Sequence, residues 1–242
     1  MAKQAGQHTL RGSIGNITYY EHPFYGMAAR ARYGPSKERI EKDPAYAAVK
    51  ANNNVMGMIS SACSLIRKGF QPVVVNVSDN KVDKRLMKEG WNIYRAAKEL
   101  DLANVFQSEA IKLLKDFSFG ETPLSKIIYR QPEISREGDA VSISVSCEMG
   151  SLKASTHYRV VSAVCGFDFM EKRFEPEVED GGLAVIDAIK TFSFTHRLKT
   201  DLPIHIVVIA VLCYQYTNGA YYRMNDKECK AADVLAVYYN EA

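Results

Sequence analysis

The chain has no long apolar run. The longest, Ile204 to Cys213, is interrupted by His205 and falls far short of the ~20 residues that a membrane-spanning helix requires. Cysteine is sparse and unpatterned. Cys63, Cys147, Cys165, Cys213 and Cys229 show no CxxC or CxH spacing, which excludes a disulfide framework and a zinc knuckle. An odd number of thiols in mostly apolar runs, and a polar first dozen residues without an apolar stretch, lead to the expectation of a reducing, cytoplasmic compartment.

The signatures of chemistry are missing too. His8, His22, His157, His196 and His205 form no HExxH or HxH pair. There is no GxSxG turn, Gly12-x-x-Gly15 is too short to cradle a phosphate, and Gly181-Gly182 precedes no Lys-Ser/Thr. His157 and Cys165 share a strand-like run, but at about 3.3 Å per residue they stand roughly 26 Å apart, beyond hydrogen-bond reach. Glu177, Glu179 and Asp180 read as a solvated acidic turn, and His205 as a hydrogen-bonded core histidine. No catalytic residue, metal ligand or cofactor is expected, and the chain reads as non-enzymatic.

What is present is an ordinary globular composition. In 242 residues, 47% are hydrophobic and 24% charged, enough to bury a substantial core. The net charge of +3 is too small to imply nucleic acid by itself. It is unevenly placed: residues 1–42 hold seven basic residues against three acidic ones, and the remainder is close to neutral.

The stretch from Asp43 to Gly69 carries a full set of helix punctuation. Asp43 is an N-cap, Pro44 suits the first helical position, Arg67 and Lys68 complement the carbonyl end, and Gly69 offers a left-handed cap. Val55 to Ile66 is apolar or small on every side, so this half is expected to be surrounded by protein. Before it, Ile17 to Tyr20 and Met27 to Arg32 alternate about the loop residues His22-Pro23-Phe24-Tyr25-Gly26, a β-hairpin, and residues 34–42 are a charged connector. After it, Pro72 to Val77 reads as a short strand or buried link. Helical spacing extends over Asn80 to Leu100, where the one internal glycine, Gly90, weakens the helix, and over Asn104 to Phe117.

Beyond Gly120 the pattern becomes strand-like: residues 124–130, 133–147 (Val141, Ile143, Val145 and Cys147 alternating with serines), 153–169, 191–197, Ile204 to Tyr216, an Asn218-Gly219 turn, and Val234 to Tyr239. Residues 175–190 read as a loop with a short strand or helical turn. The expected architecture is α+β: an N-terminal hairpin and small helical bundle over residues 1–120, then an antiparallel immunoglobulin-like β-sandwich over 121–242.

Gly12, Gly15 and Asn16, the pair Tyr19-Tyr20, Arg30 and Arg32 on a return strand, then Asp43-Pro44 and an asparagine-rich helix ending at Ile66-Arg67 form a recognisable combination. Over residues 11–70 it resembles a family of uncharacterised proteins from Bacteroidota chromosomes and their prophage-like regions. The resemblance implies a source and a mobile-element setting; it implies no active site. The segment in which function is expected is the basic, aromatic N-terminus: Arg11, Tyr19, Tyr20, Phe24, Tyr25, Arg30 and Arg32. Three readings stand: packing on the helices, contact with a protein partner or a second copy, and contact with nucleic acid. The expected function is that of a structural or assembly protein, of a phage-derived particle or mobile element, with a nucleic-acid-binding accessory protein as the alternative.

Overall fold

The structure is a computed structural model that describes residues 2–4, 8–31, 34–100, 104–149 and 155–240. The chain is mixed helix and antiparallel sheet, and it forms two compact units, residues 1–55 and 56–242. The sequence reading places its boundary at residue 120 instead; the helices after Val55 belong with the sheets that follow them, for reasons of packing given below.

The first unit holds a four-stranded antiparallel sheet in the order β1-β4-β3-β2, from β1 (Ala2–Lys3), β2 (Gly12–Ile14), β3 (Ile17–His22) and β4 (Gly26–Ala31). The expected hairpin is its centre. Gly15, at φ +54°, opens a two-residue turn that brings Ile14 opposite Ile17. The β3–β4 loop is only Pro23-Phe24-Tyr25, closed by Gly26 at φ +69°. The charged connector forms a short helix, α1 (Lys37–Lys42). The Ser36 hydroxyl caps it by accepting from the Arg39 N–H, and Lys42–Glu38 (2.7 Å) and Arg39–Asp43 (3.5 Å) lace its surface. Asp43 accepts from the Ala45 N–H and caps a 3-10 turn, Pro44–Tyr46, which runs into α2 (Ala47–Gly69).

In the second unit a five-stranded sheet is the middle layer. Its strands are β7 (His157–Asp168), β8 (Arg173–Val185), β10 (Ile204–Thr217), β11 (Ala220–Arg223) and β12 (Lys230–Tyr239); β7 lies between β8 and β10, and both β11 and β12 pair with β10. A three-stranded sheet, β5 (Glu133–Glu137), β6 (Ala140–Cys147) and β9 (Lys190–Arg197), covers one face. Val141, Ile143 and Val145 of β6, Phe192 and Phe194 of β9, and Val160, Val207, Ile209 and Val211 of the larger sheet make one core between them. Helices cover the other face. Phe70 meets Phe167 at 5.9 Å and Phe119 at 5.8 Å, and Phe106 meets Phe169 at 5.9 Å. With both faces covered, every residue of β10 from Ile204 to Cys213 is buried, which is why that strand is apolar throughout except at His205. The outer edge of β12 is closed by the segment 116–119: Val234 O accepts from Asp116 N–H, and Phe117 O from Val234 N–H, both at 2.9 Å.

Several expectations need correction. Gly69 does not cap α2 in a left-handed conformation; it lies inside the helix, where a Cβ would stand 2.7 Å from Cys165 Sγ and from the Phe167 ring. The glycine is there for close approach to the sheet. The half of α2 from Val55 to Ile66 is not enclosed: Ile59, Ala62, Cys63, Leu65 and Ile66 are buried on one side, while Met56, Gly57, Met58, Ser60, Ser61 and Ser64 are exposed. Pro72 to Val77 is no strand but opens with a helical turn, α3 (Gln71–Val74), for which Pro72 supplies a first-turn φ. The helix α4 (Val82–Glu99) runs unbroken through Gly90, because Ile59 Cγ2 would stand 2.5 Å from a Cβ there. Residues 104–117 make 3-10 segments, Val105–Gln107 and Glu109–Leu114, and residues 124–130 contain a 3-10 turn, Leu124–Lys126, rather than a strand. Residues 175–185 lie in the 13-residue edge strand β8, not in a loop.

Candidate functional site

Pairing in the N-terminal sheet sorts its side chains onto two faces. Register places Ile14 with Ile17, Gly12 and Ala29 with Tyr19, and Met27 with Glu21 on one face. Ser13, Thr18 and Arg30 share the other with Lys3, Ala28 and Tyr20, and His22 follows two residues beyond Tyr20. The first face is almost wholly apolar, yet Ile14 is 61% and Ile17 41% exposed. Ala28, in register between Lys3 and Tyr20, is the one buried residue among the described residues of this unit.

The second face carries a row of rings and cations. The Arg30 guanidinium lies 5.5 Å over the Tyr20 ring, Tyr20 meets His22 at 6.3 Å, His22 meets Tyr25 at 4.7 Å, and the Lys3 ammonium lies 5.8 Å over Tyr25. Phe24, 6.0 Å from His22, stands 87% exposed at the loop tip. His22 Nδ1 accepts from the Phe24 N–H at 3.2 Å, which fixes the loop. Of the expected site residues the structure therefore brings together Tyr20, Phe24, Tyr25 and Arg30. Tyr19 faces the opposite side, Arg11 is held by Glu21, and Arg32 lies outside the described residues. Lys3 and His22 were not among the expected site residues; only the pairing of β1 with β4 brings Lys3 beside Tyr20 and Tyr25.

A second polar constellation lies in the core of the larger unit. Ser162 Oγ of β7 and His196 Nε2 of β9 are 2.8 Å apart, and His196 Nδ1 stands 3.3 Å from Glu177 Oε1 of β8, at ion-pair distance without hydrogen-bond alignment. A serine, a histidine and a carboxylate in this order match a nucleophile, its base and the group that orients it. Yet Ser162 and His196 are 0% exposed, and the hydroxyl points into the layer between two sheets, where a substrate has no room. The group is a polar clasp between β7, β8 and β9. No motif spacing announces it; its one trace in the sequence is that His196 continues the inward series Phe192, Phe194. Glu177 and Asp180, which pairs with Arg159 at 3.1 Å, are thus strand residues engaged with neighbours rather than a solvated turn.

All five cysteines are buried and free; burial pushes the Cys63, Cys165 and Cys213 thiols up to about 12 and the Cys147 thiol to about 11, which disfavours the thiolate at these four. His205 is buried as expected, but neither ring nitrogen has an aligned hydrogen-bond partner. Burial, with Arg136 adding to it, lowers its pKa to about 4; the Lys199 backbone and the carboxylates of Asp201 and Asp139 offset this only in part. Among the described residues no three His, Cys, Asp or Glu side chains converge as a metal site, and no helix is long and apolar enough to cross a membrane.

No protein-family model, curated protein or solved structure matches the chain.

Proposed function

We propose that this is a non-enzymatic structural or assembly protein whose N-terminal sheet joins copies of the chain, in a phage-derived particle or mobile element as the resemblance over residues 11–70 implies. The observation that carries the reading is the sheet's apolar face. A four-stranded sheet with one buried residue has no core of its own, and Ile14, Ile17, Tyr19, Met27 and Ala29 form an apolar surface of the kind that a second layer covers. Val49, on the first half of α2, adds another exposed apolar side chain in this unit. The larger unit supplies the scaffold. Its two antiparallel sheets about one core support an immunoglobulin-like reading of residues 121–242, to which the helical layer is an addition.

Light scattering on nuclease-treated protein over a concentration series tests this. A defined oligomer that reverts to monomer in the double variant Ile14→Ser/Ile17→Ser is the expected result. A monomer at every concentration would sink self-assembly.

A further inference from the structure

We propose that the opposite, polar face of the same sheet binds single-stranded nucleic acid, with rings stacking on bases and Lys3 and Arg30 holding phosphates. The inference uses a different face and stands or falls independently of assembly.

The basic excess of the N-terminal segment is not spread evenly over its cations. Lys37, Arg39 and Lys42 pair along α1 with Glu41, Asp43 and Glu38, and Arg11 pairs with Glu21. Among the described residues, Lys3 and Arg30 have no carboxylate partner; each lies over a tyrosine ring instead. Among the described cations of the segment, the uncompensated positive charge thus sits on the face that carries the aromatic row, and the face is complementary to a polyanion that also offers flat apolar groups.

Spacing follows. Arg30, Tyr20, His22, Tyr25 and Lys3 form a continuous series in which neighbouring groups are 4.7 to 6.3 Å apart, with a cation at each end. Stacking platforms for single strands combine ring faces with cations that track the backbone, and they tolerate any base because every base has a π face. Phe24 is the accessible ring beside the middle of the row, 6.0 Å from His22, and its 87% exposure leaves it open to a base. A duplex hides its base faces in the stack, so this surface discriminates against double strands. The antiparallel ladder and the Phe24 N–H to His22 Nδ1 bond hold the row in place before the ligand arrives.

The test uses the full chain and a fluorescent 15-nucleotide oligothymidylate in an anisotropy titration, with the same sequence in duplex form as control. The expected result is binding to the single strand that exceeds duplex binding and weakens as salt rises, with a logarithmic slope of about −0.7 per phosphate contacted. Phe24→Ala is expected to weaken it about tenfold. Arg30→Lys, which keeps the charge, is expected to lose less than Arg30→Ala, and Arg30→Ala to flatten the salt slope. Circular dichroism confirms that each variant is folded. Absence of binding at low salt, equal affinity for duplex, or binding indifferent to both Phe24 and Arg30 would overturn the proposal. So would capture by anionic vesicles without capture of the oligonucleotide, since a basic aromatic loop also suits a lipid surface. The Ile14→Ser/Ile17→Ser variant separates the two readings: if it becomes monomeric and still binds, the polar face acts without assembly.

Discussion

In the three-stranded sheet of the larger unit, Val141, Ile143 and Val145 alternate with serines, and all three are fully buried. In the N-terminal sheet Ile17 and Tyr19 alternate with Thr18 and Tyr20 in the same manner, and there Ile17 is 41% exposed. Alternation specifies a strand in both places, because period two is a property of the pleat. What it does not specify is whether a second layer exists. The larger unit contains its own: the five-stranded sheet has helices on one face and the small sheet on the other. The described residues of 1–55 contain none. The difference divides the molecule into a region whose apolar side chains are buried in its own core and a region whose described apolar side chains stay largely exposed.

The comparison is broken most severely at Phe167. Its ring is 0% exposed and sits among Phe70, Phe169, Phe174 and the Cα of Gly69, where helices and central sheet meet. Phe167→Ala is expected to cost about 3–5 kcal/mol through lost burial and the cavity left behind. The larger unit contains the single tryptophan, Trp91 on α4, so urea unfolding followed by its fluorescence reads this loss directly. A cost below about 1 kcal/mol would mean that the helices do not depend on the sheet, against the packing described.

A smaller effect comes from His205, which separates the regions by pH. Its folded pKa of about 4 lies below the ordinary 6.5, so between these values the unfolded chain binds a proton that the folded one refuses. The stability this neutral ring allows is fully present above pH 6.5 and declines as pH falls toward 4, by up to about 3 kcal/mol. Asp233 works in the opposite direction over part of that range, because burial raises its carboxyl pKa and the folded state holds that proton longer. The informative quantity is therefore the difference between the parent chain and His205→Leu in urea midpoints at pH 7 and pH 4.5. The variant is expected to lose much less of its stability on acidification; parallel declines would show that the ring titrates normally.

How far the sequence discloses this arrangement depends on the kind of information each feature needs. The run Ile204 to Cys213 marks a strand at once, and Asn218-Gly219, with φ values of +53° and +82°, forms the turn that the pair announces. The strand β8 is hidden because Pro176 and Gly181-Gly182 belong to loop vocabulary. At a sheet edge, however, proline's missing N–H faces no partner, and Gly181 lets Phe192 approach to 2.6 Å from where a Cβ would lie. Val73 and Val74 favour a strand by local preference and are helical because their packing, with both side chains buried, overrides that preference. At the candidate site, composition exposes the rings and the arginines, but not their faces. That Tyr19 and Tyr20 diverge, that Arg11 is neutralised by Glu21, and that Lys3 joins the row follow only from which strand lies beside which.

The smallest effect sharpens the comparison from the other side. Phe24 and Tyr25 are large apolar side chains, and in the larger unit residues of that size are costly to remove. At the loop tip they are 87% and 56% exposed, and what they touch is His22, each other's loop and the Lys3 ammonium. Phe24→Ala and Tyr25→Ala are therefore each expected to change the unfolding midpoint followed by far-ultraviolet circular dichroism, which includes the N-terminal strands, by no more than the equivalent of about 0.5 kcal/mol, the range for surface positions without a buried contact. A conserved midpoint, together with a weakened affinity for the oligonucleotide, means that these rings stabilise a complex rather than the fold. A drop of 2 kcal/mol or more, on the scale of buried aromatics, would instead place them in a packing role, and the N-terminal sheet would have to be counted as part of the folded core.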